Sequence, residues 1–457
     1  RASKPVRAEL GQAPVGAPLT EDPLGGLPPG DVAATVRTLQ FLARRPDVFR
    51  AKPLKTLRAA LHSLTASKAM EAAGKSLVGR ASDAFRDGRW EDALGALRAL
   101  RAQGQAPKLG ALCRWVRDAD AASGLDDPLV CAVMDAALRV AAPVGPEGEG
   151  AGEGEGVRGG VVRCEPWGGG AAASMPLAAA IDIDNPVPLR TDEEFRSGFR
   201  VVQHLAAADR QPPNKHDLRI HASEPGTAAL APSCAVSRVD MPGVPGAFML
   251  KHLLTPGECE RLLAAATAVG FDPDEPATGS ASVLAHACAW LADAPLNDAL
   301  FERCRALLPP VLGGGDVVGL NARWRLYRYV PGAVYRPHID GAWPGSGLSP
   351  EGEYLYDAYG DRWSRLTFLI YLNSQGDGPG GFQGGATTYY VPGPLEGWLH
   401  AYPTLPTVGC AMVFPHGETA GSLLHEGSAV TEGAKYVIRT EVLYRKQHTA
   451  PEAEAAL

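Results

Sequence analysis

Apolar and polar positions change period along this chain. From Asp31 to about Val140 the apolar residues recur at helical spacing: Leu54, Leu57, Leu61 and Leu64 fall at intervals of three, four and three, and Trp90, Leu94, Leu97 and Leu100 mark a second stripe. Short breaks containing Gly or Pro separate the stripes, which predicts antiparallel helix pairs. Asp192 to Ala208 also reads as a helix. In GAFMLKHLLTPGECERLLAAATAVGF (246–271) a strand precedes a helix, with Thr255 as N-cap, Pro256 in the first turn and Glu258 completing a capping box. A further helix fits Leu296 to Leu308. From Trp324 onward the runs become short and β-rich: RWRLYRYV, RLTFLIYL, GATTYYV, GCAMVF and KYVIRTEVLY are spaced by Gly and Pro as in a sandwich or barrel.

The two textures imply an α+β chain of several domains. Residues 1–29 carry Pro, Gly and Ala without periodicity and read as a flexible segment. An α-helical domain is expected over 30–142. The tract GPEGEGAGEGEGVRGG (145–160) has no side chains with which to build a core, so 143–172 reads as a Gly/Glu-rich linker. A β-rich domain with flanking helices follows over 173–446, and 447–457 reads as a flexible tail. The stretch DGRWEDALGALRALRAQGQAP is similar to tetratricopeptide or pentatricopeptide units. No clean second copy follows at a period of about 34 or 35 residues, so a plain helical bundle stands beside the repeat-like reading.

Composition narrows the function without naming it. With 457 residues, 45% hydrophobic and 21% charged, the chain has the balance of a soluble globular protein of two or three domains. A net charge of -7 argues against a chain built as a whole to coat nucleic acid or an anionic membrane. One stretch departs from this: Arg37 to Arg80 holds ten Lys or Arg against Asp47 and Glu71. That pattern suits a solvated helical face, or a docking surface for RNA or an acidic partner. The eight cysteines include no C-x-x-C pair, which fits reduced thiols in the cytoplasm or another reducing compartment. No apolar run reaches about 18 residues, so no transmembrane helix is expected. Arg1 in place of Met reads as a processed or trimmed start, which would hide a targeting peptide.

Chemistry concentrates at YRPHIDGAW (335–343). With 11 His and the Asp content of this chain, about 0.6 H-x-D triplets arise by chance, so His338-Ile-Asp340 needs support from its surroundings. Strand alternation puts His338 and Asp340 on one side of the chain. Two His and one carboxylate on one face would leave coordination positions open, as non-haem Fe(II) oxygenases require. The second His must come from His400, His416, His425 or His448. His425 is favoured by LLHEGSAVTEGAKYVIRT, because Lys435 ten residues on would present a cation to the far carboxylate of a chelating 2-oxo acid. His416, in FPHGE, reads as a loop residue or a support to the site, then as a substrate contact, and last as a ligand. His204, His216, His221, His252 and His286 read as structural or exposed. The insertion GAWPGSGLSPEGEYLYDAYGDRWS (341–364) carries Trp343, Tyr354, Tyr356, Tyr359 and Trp363, which could cover the site or pack the loop onto the barrel.

Taken together, Phe248 to Tyr444 resembles the prolyl 4-hydroxylase-like branch of the Fe(II)/2-oxoglutarate dioxygenases. The pattern is H-x-D, a long gap, then His with Lys ten residues later. LLTPGECERLL and GGATTYY (384–390) also match motifs of that branch. The resemblance implies a double-stranded β-helix (jelly-roll) over a core of 248–444, with Fe(II) held by His338, Asp340 and His425. It implies that Lys435 pairs with the 2-oxoglutarate C5 carboxylate and that Tyr329 and Thr367 line the same pocket. Arg439, four residues after Lys435, would share that role, bind the other end of the cofactor or touch substrate. O2 is the co-substrate and ascorbate the expected reductant. A protein or peptide, by way of a peptidyl proline or another side chain, is the implied substrate. Nucleic-acid demethylation by the same chemistry, or a non-catalytic helical-repeat protein with an inert barrel, are the other readings; oligomeric state is not encoded.

Overall fold

Each of the five β-rich runs is a strand: Arg323–Tyr329, Arg362–Tyr371, Thr387–Pro392, Ala411–Pro415 and Lys435–Arg445. The computed structural model describes residues 28–43, 45–65, 76–141, 159–169, 190–210, 214–231, 235–276, 280–284, 286–376 and 380–446. The expected N-terminal segment up to residue 27, the tail 447–457 and most of the Gly/Glu tract lie outside them. Two compact units divide the chain, residues 1–75 and 76–457. In the first, the stripe that runs through Leu57 and Leu61 lies on helix Lys55–Thr65, which follows a short 3-10 turn, and helix Pro29–Ala43 precedes it. Among the described residues no helix is long and apolar enough to cross a membrane.

The second unit is built on two sheets. The larger runs Phe199–Leu205, Leu218–Ser223, His286–Leu291, Arg323–Tyr329, Lys435–Arg445, Arg362–Tyr371, Ala411–Pro415, Phe248–Lys251 and Ser237–Asp240, with each neighbour hydrogen-bonded to the next. The smaller runs Gly160–Arg163, Trp398–Thr404, Thr387–Pro392, Leu424–Gly427 and Tyr335–His338. Alternation explains how one strand serves two layers. Along Arg362–Tyr371, Leu366, Phe368 and Ile370 enter a core with helices Pro256–Val269 and Ala294–Cys304. Tyr371 turns the other way and packs with Met412, Phe414 and Val437 against Tyr389 of the smaller sheet. The capping box predicted at Thr255 is present, and its Glu258 also pairs with Arg303 of the second helix at 2.7 Å, which locks the two helices together.

Three expectations change. Asp192 to Ala208 is a helix only over Asp192–Ser197; beyond Gly198 the chain becomes strand Phe199–Leu205, because pairing with Leu218–Ser223 outweighs local helical periodicity. The second half of the expected linker is ordered: Gly160–Arg163 pairs in parallel with Trp398–Ala401. Val161 and Val162 are the β-branched residues that the glycines around them obscure. The helices Leu77–Arg86, Trp90–Ala102, Leu109–Ala122 and Pro128–Ala141 do not form a domain of their own. Leu97, Trp115, Val130 and Met134 share one core with Leu399 and Leu424 of the smaller sheet and with Ile339, just past its strand Tyr335–His338. An apolar outer sheet face must be covered, and these helices cover it. The compact division therefore falls between Lys75 and Ser76.

Candidate metal centre

The smaller sheet brings the two histidines together. Strand Tyr335–His338 runs antiparallel to Leu424–Gly427 with His338 directly opposite His425, and the ring centroids lie 4.3 Å apart. Asp340, just past the strand end, turns back toward both, with Oδ1 3.6 Å from His338 Nε2 and Oδ2 3.6 Å from His425 Nε2. One donor atom from each of the three lies within 4.8 Å of the others. The ring orientation is set from behind. His338 Nδ1 meets Arg336 O at 2.8 Å, and His425 Nδ1 meets Leu423 O at 3.1 Å. A carbonyl only accepts, so each Nδ1 carries a proton, and Nε2 is the ring atom that each histidine turns toward Asp340. Burial, and next the neighbouring His338, push His425 down to about 3, so it stays neutral. Burial would raise Asp340, but the Arg439 guanidinium beside it reverses this and holds the carboxyl well below its ordinary range. Two imidazoles that turn Nε2 inward and one ionised carboxylate, converging in one site, are a donor set suited to a divalent metal ion.

The larger sheet supplies the other wall. Lys435 pairs in register with Tyr329, and its ammonium lies 5.4 Å from the Tyr329 ring centroid and 5.6 Å from that of Tyr371. It donates to Gly385 O at 2.7 Å, and no carboxylate of the described residues lies within ion-pair reach. Burial lowers its pKa to about 7. A buried ammonium without an acid is costly unless something anionic arrives. One cleft joins it to the triad, lined by Tyr329, Thr367, Thr387 and Phe414 among others.

Arg439 faces the same cleft at its metal end. It holds Asp340 Oδ1 at 3.1 Å and Glu441 Oε1 at 3.5 Å. Four residues of strand, roughly 13 Å of backbone, separate it from Lys435. Thr367 does more than line the pocket: its hydroxyl donates to Asp340 Oδ2 at 2.7 Å. Behind it stands His416, with Nδ1 2.8 Å from Thr367 Oγ1 and Nε2 2.9 Å from Ser364 Oγ. Ser364 Oγ in turn accepts from Trp343 N at 2.7 Å.

The sequence reading missed Ser364, and it missed Tyr335, whose ring sits edge-on to His338 with centroids 3.9 Å apart. It also missed a brace from the helices: Arg336 donates to both carboxylate oxygens of Asp120, with the shortest contact at 2.6 Å. An Asp and an Arg separated by 216 residues leave no local signal. The aromatic insertion does not line the cleft. Trp343 lies against the Arg323 guanidinium at 4.5 Å and is met edge-on by Tyr356, while Tyr354 Oη bonds to Ser346 Oγ at 3.0 Å. His400 lies on the smaller sheet beside Tyr402, away from the centre. His448 lies outside the described residues. His204 and His216 pair with Asp217 and Glu275 instead.

No family model matches the sequence, and no curated protein matches it. Solved structures similar to this chain are prolyl 4-hydroxylases and 2OG-Fe(II) oxygenases. A viral collagen prolyl hydroxylase from Paramecium bursaria Chlorella virus-1, in its 2OG complex, is 18% identical over 44% of this chain and 96% of that one, with a TM-score of 0.29. A Pseudomonas putida prolyl-4-hydroxylase is 17% identical over 44% and 93%, also at 0.29. A Trichoplax adhaerens prolyl hydroxylase, in complex with a hypoxia inducible factor peptide fragment, is 17% identical over 44% and 83%, at 0.29.

Proposed function

We propose that the chain is an Fe(II)- and 2-oxoglutarate-dependent dioxygenase. The observation that carries this is the pairing of two features in one cleft: three convergent metal donors at one end and, at the other, a buried ammonium with no acid partner among the described residues. His338, Asp340 and His425 would hold Fe(II), and Lys435 would take the C5 carboxylate of 2-oxoglutarate. The bound metal, 2-oxoglutarate and O2 together supply an oxidation in which the oxo acid leaves as succinate and CO2 and a substrate C–H becomes C–OH.

The protein's own part follows from its side chains. Arg336 O and Leu423 O keep both Nδ1 atoms protonated, so Nε2 is the atom that each ring would offer to the metal. Arg439 forms an ion pair with one oxygen of Asp340 and Thr367 donates to the other, and together they keep that carboxylate ionised and turned toward the histidines. Tyr329 and Tyr371 flank the Lys435 ammonium and keep water away from that end, where a charge pair gains from the low dielectric. The two sheets would be the halves of a double-stranded β-helix. A peptidyl proline or another protein side chain is the substrate reading, and ascorbate the reductant. The test is succinate formation from 2-oxoglutarate with Fe(II) and ascorbate, across candidate peptides. Turnover in the wild type that disappears in His338→Ala supports the reading; turnover that survives the substitution, or that proceeds with zinc and without 2-oxoglutarate, contradicts it.

A further inference from the structure

A buried hydrogen-bond chain leads from the first turn of the aromatic insertion to the metal-facing carboxylate, and its proton directions can be assigned link by link. The Asp340 carboxylate accepts from Thr367, so the single hydroxyl proton of Thr367 lies on Asp340 Oδ2. Thr367 Oγ1 must then accept from His416 Nδ1, which carries the ring proton. At the other end Trp343 N–H donates to Ser364 Oγ, and the Ser364 hydroxyl donates to His416 Nε2. Every link has one donor and one acceptor, and the ring at its centre is a neutral imidazole in the Nδ1–H form. Burial, its largest influence, drives His416 down to about 4, in keeping with that neutrality. His416 and Ser364 are almost wholly buried, so no solvent competes for these bonds. The next residue fastens the same loop to the ligand segment, because Gly417 N donates to Asp340 O at 2.9 Å.

We propose that His416 is a positioning residue for the metal centre: its Nδ1–H holds the Thr367 hydroxyl proton on Asp340, and so sets the orientation in which that carboxylate meets the metal. The inference rests on the metal-site reading above. Without the Nδ1–H donor, Thr367 is free to rotate its proton elsewhere, and Asp340 keeps the Arg439 contact but loses the one that fixes its second oxygen. Because the chain begins at Trp343, the backbone of the insertion is tied to the same carboxylate.

Two amides separate this role from packing. Asn places its amide where Nδ1 stands and can still donate to Thr367. Gln places its amide where Nε2 stands, keeps the link to Ser364 and loses the one to Thr367, although it fills the space of His better. The experiment is a titration of the whole chain with Co(II), read by its visible spectrum and by affinity, for wild type, His338→Ala, His416→Asn and His416→Gln. Thermal melting without metal is recorded for each. Expected are wild-type-like affinity and spectrum for His416→Asn, and for His416→Gln a loss of affinity on the order of tenfold with an altered spectrum. Equal behaviour of the two variants, or a better site in Gln than in Asn, overturns the role given to His416 while leaving the triad intact. If the wild type binds no Co(II), or binds it as well after His338→Ala, the metal-site reading falls and the positioning role falls with it.

Discussion

At the scale of single residues, the site is a set of charges whose partners decide what each can do. Lys435 has no acid partner among the described residues, and burial lowers its ammonium to about 7. A dianion beside it would raise that pKa, so binding above pH 7 takes up a proton. With Co(II) held saturating, 2-oxoglutarate affinity should be flat just below pH 7 and fall toward tenfold per pH unit between about pH 7.5 and 9. In Lys435→Arg, which stays charged, that slope should vanish; a slope unchanged by the substitution would assign it to another group. Arg439 is the opposite case, a buried cation shared by Asp340 and Glu441. Arg439→Met strands two buried carboxylates and should cost about 3–5 kcal/mol in urea unfolding. Part of that loss should return on adding Co(II), which would neutralise Asp340; equal unfolding midpoints for variant and wild type would show that the pair carries little.

At the scale of elements, the helices that cover the smaller sheet hold the ligand strand itself. Ile339, between the two ligands His338 and Asp340, is buried in the helical core, and Asp120 grips Arg336 two residues before the first ligand. Ile339→Ala should destabilise the second unit by about 2–5 kcal/mol, the usual cost of emptying an aliphatic core position, as read by denaturant titration. Asp120→Asn should weaken Co(II) binding by roughly tenfold with little change in melting, because the charge that steadies the strand is gone while the helix remains. Metal affinity untouched by Asp120→Asn would make the helices a cover and nothing more. The sequence shows the strands after Trp324 because alternating apolar residues betray them one by one. It does not show Gly160–Arg163 or Phe199–Leu205, whose strand character comes from partners far along the chain.

At the scale of the whole molecule, the candidate site was legible in outline and hidden in its supports. His338, Asp340, His425 and Lys435 stand in an ordered pattern that chance seldom produces, and the fold brings all four to one cleft. Which cation faces the far end of that cleft was open, since Lys435 and Arg439 share one face of one strand. Only the placement of Asp340 beside Arg439 separates them. The Asp120–Arg336 brace and the Thr367–His416–Ser364 chain join segments that no local period connects, so they emerge only from the packed sheets. The central claim is that one cleft binds a metal and a 2-oxo diacid together. Calorimetric titration of 2-oxoglutarate into the chain, with and without Co(II), tests it most directly, comparing wild type, His338→Ala and Lys435→Met. The account predicts one molecule bound per chain only when Co(II) is present, abolished in His338→Ala, and weakened at least tenfold in Lys435→Met with Co(II) affinity retained. Binding that ignores the metal, or that survives both substitutions, would contradict it.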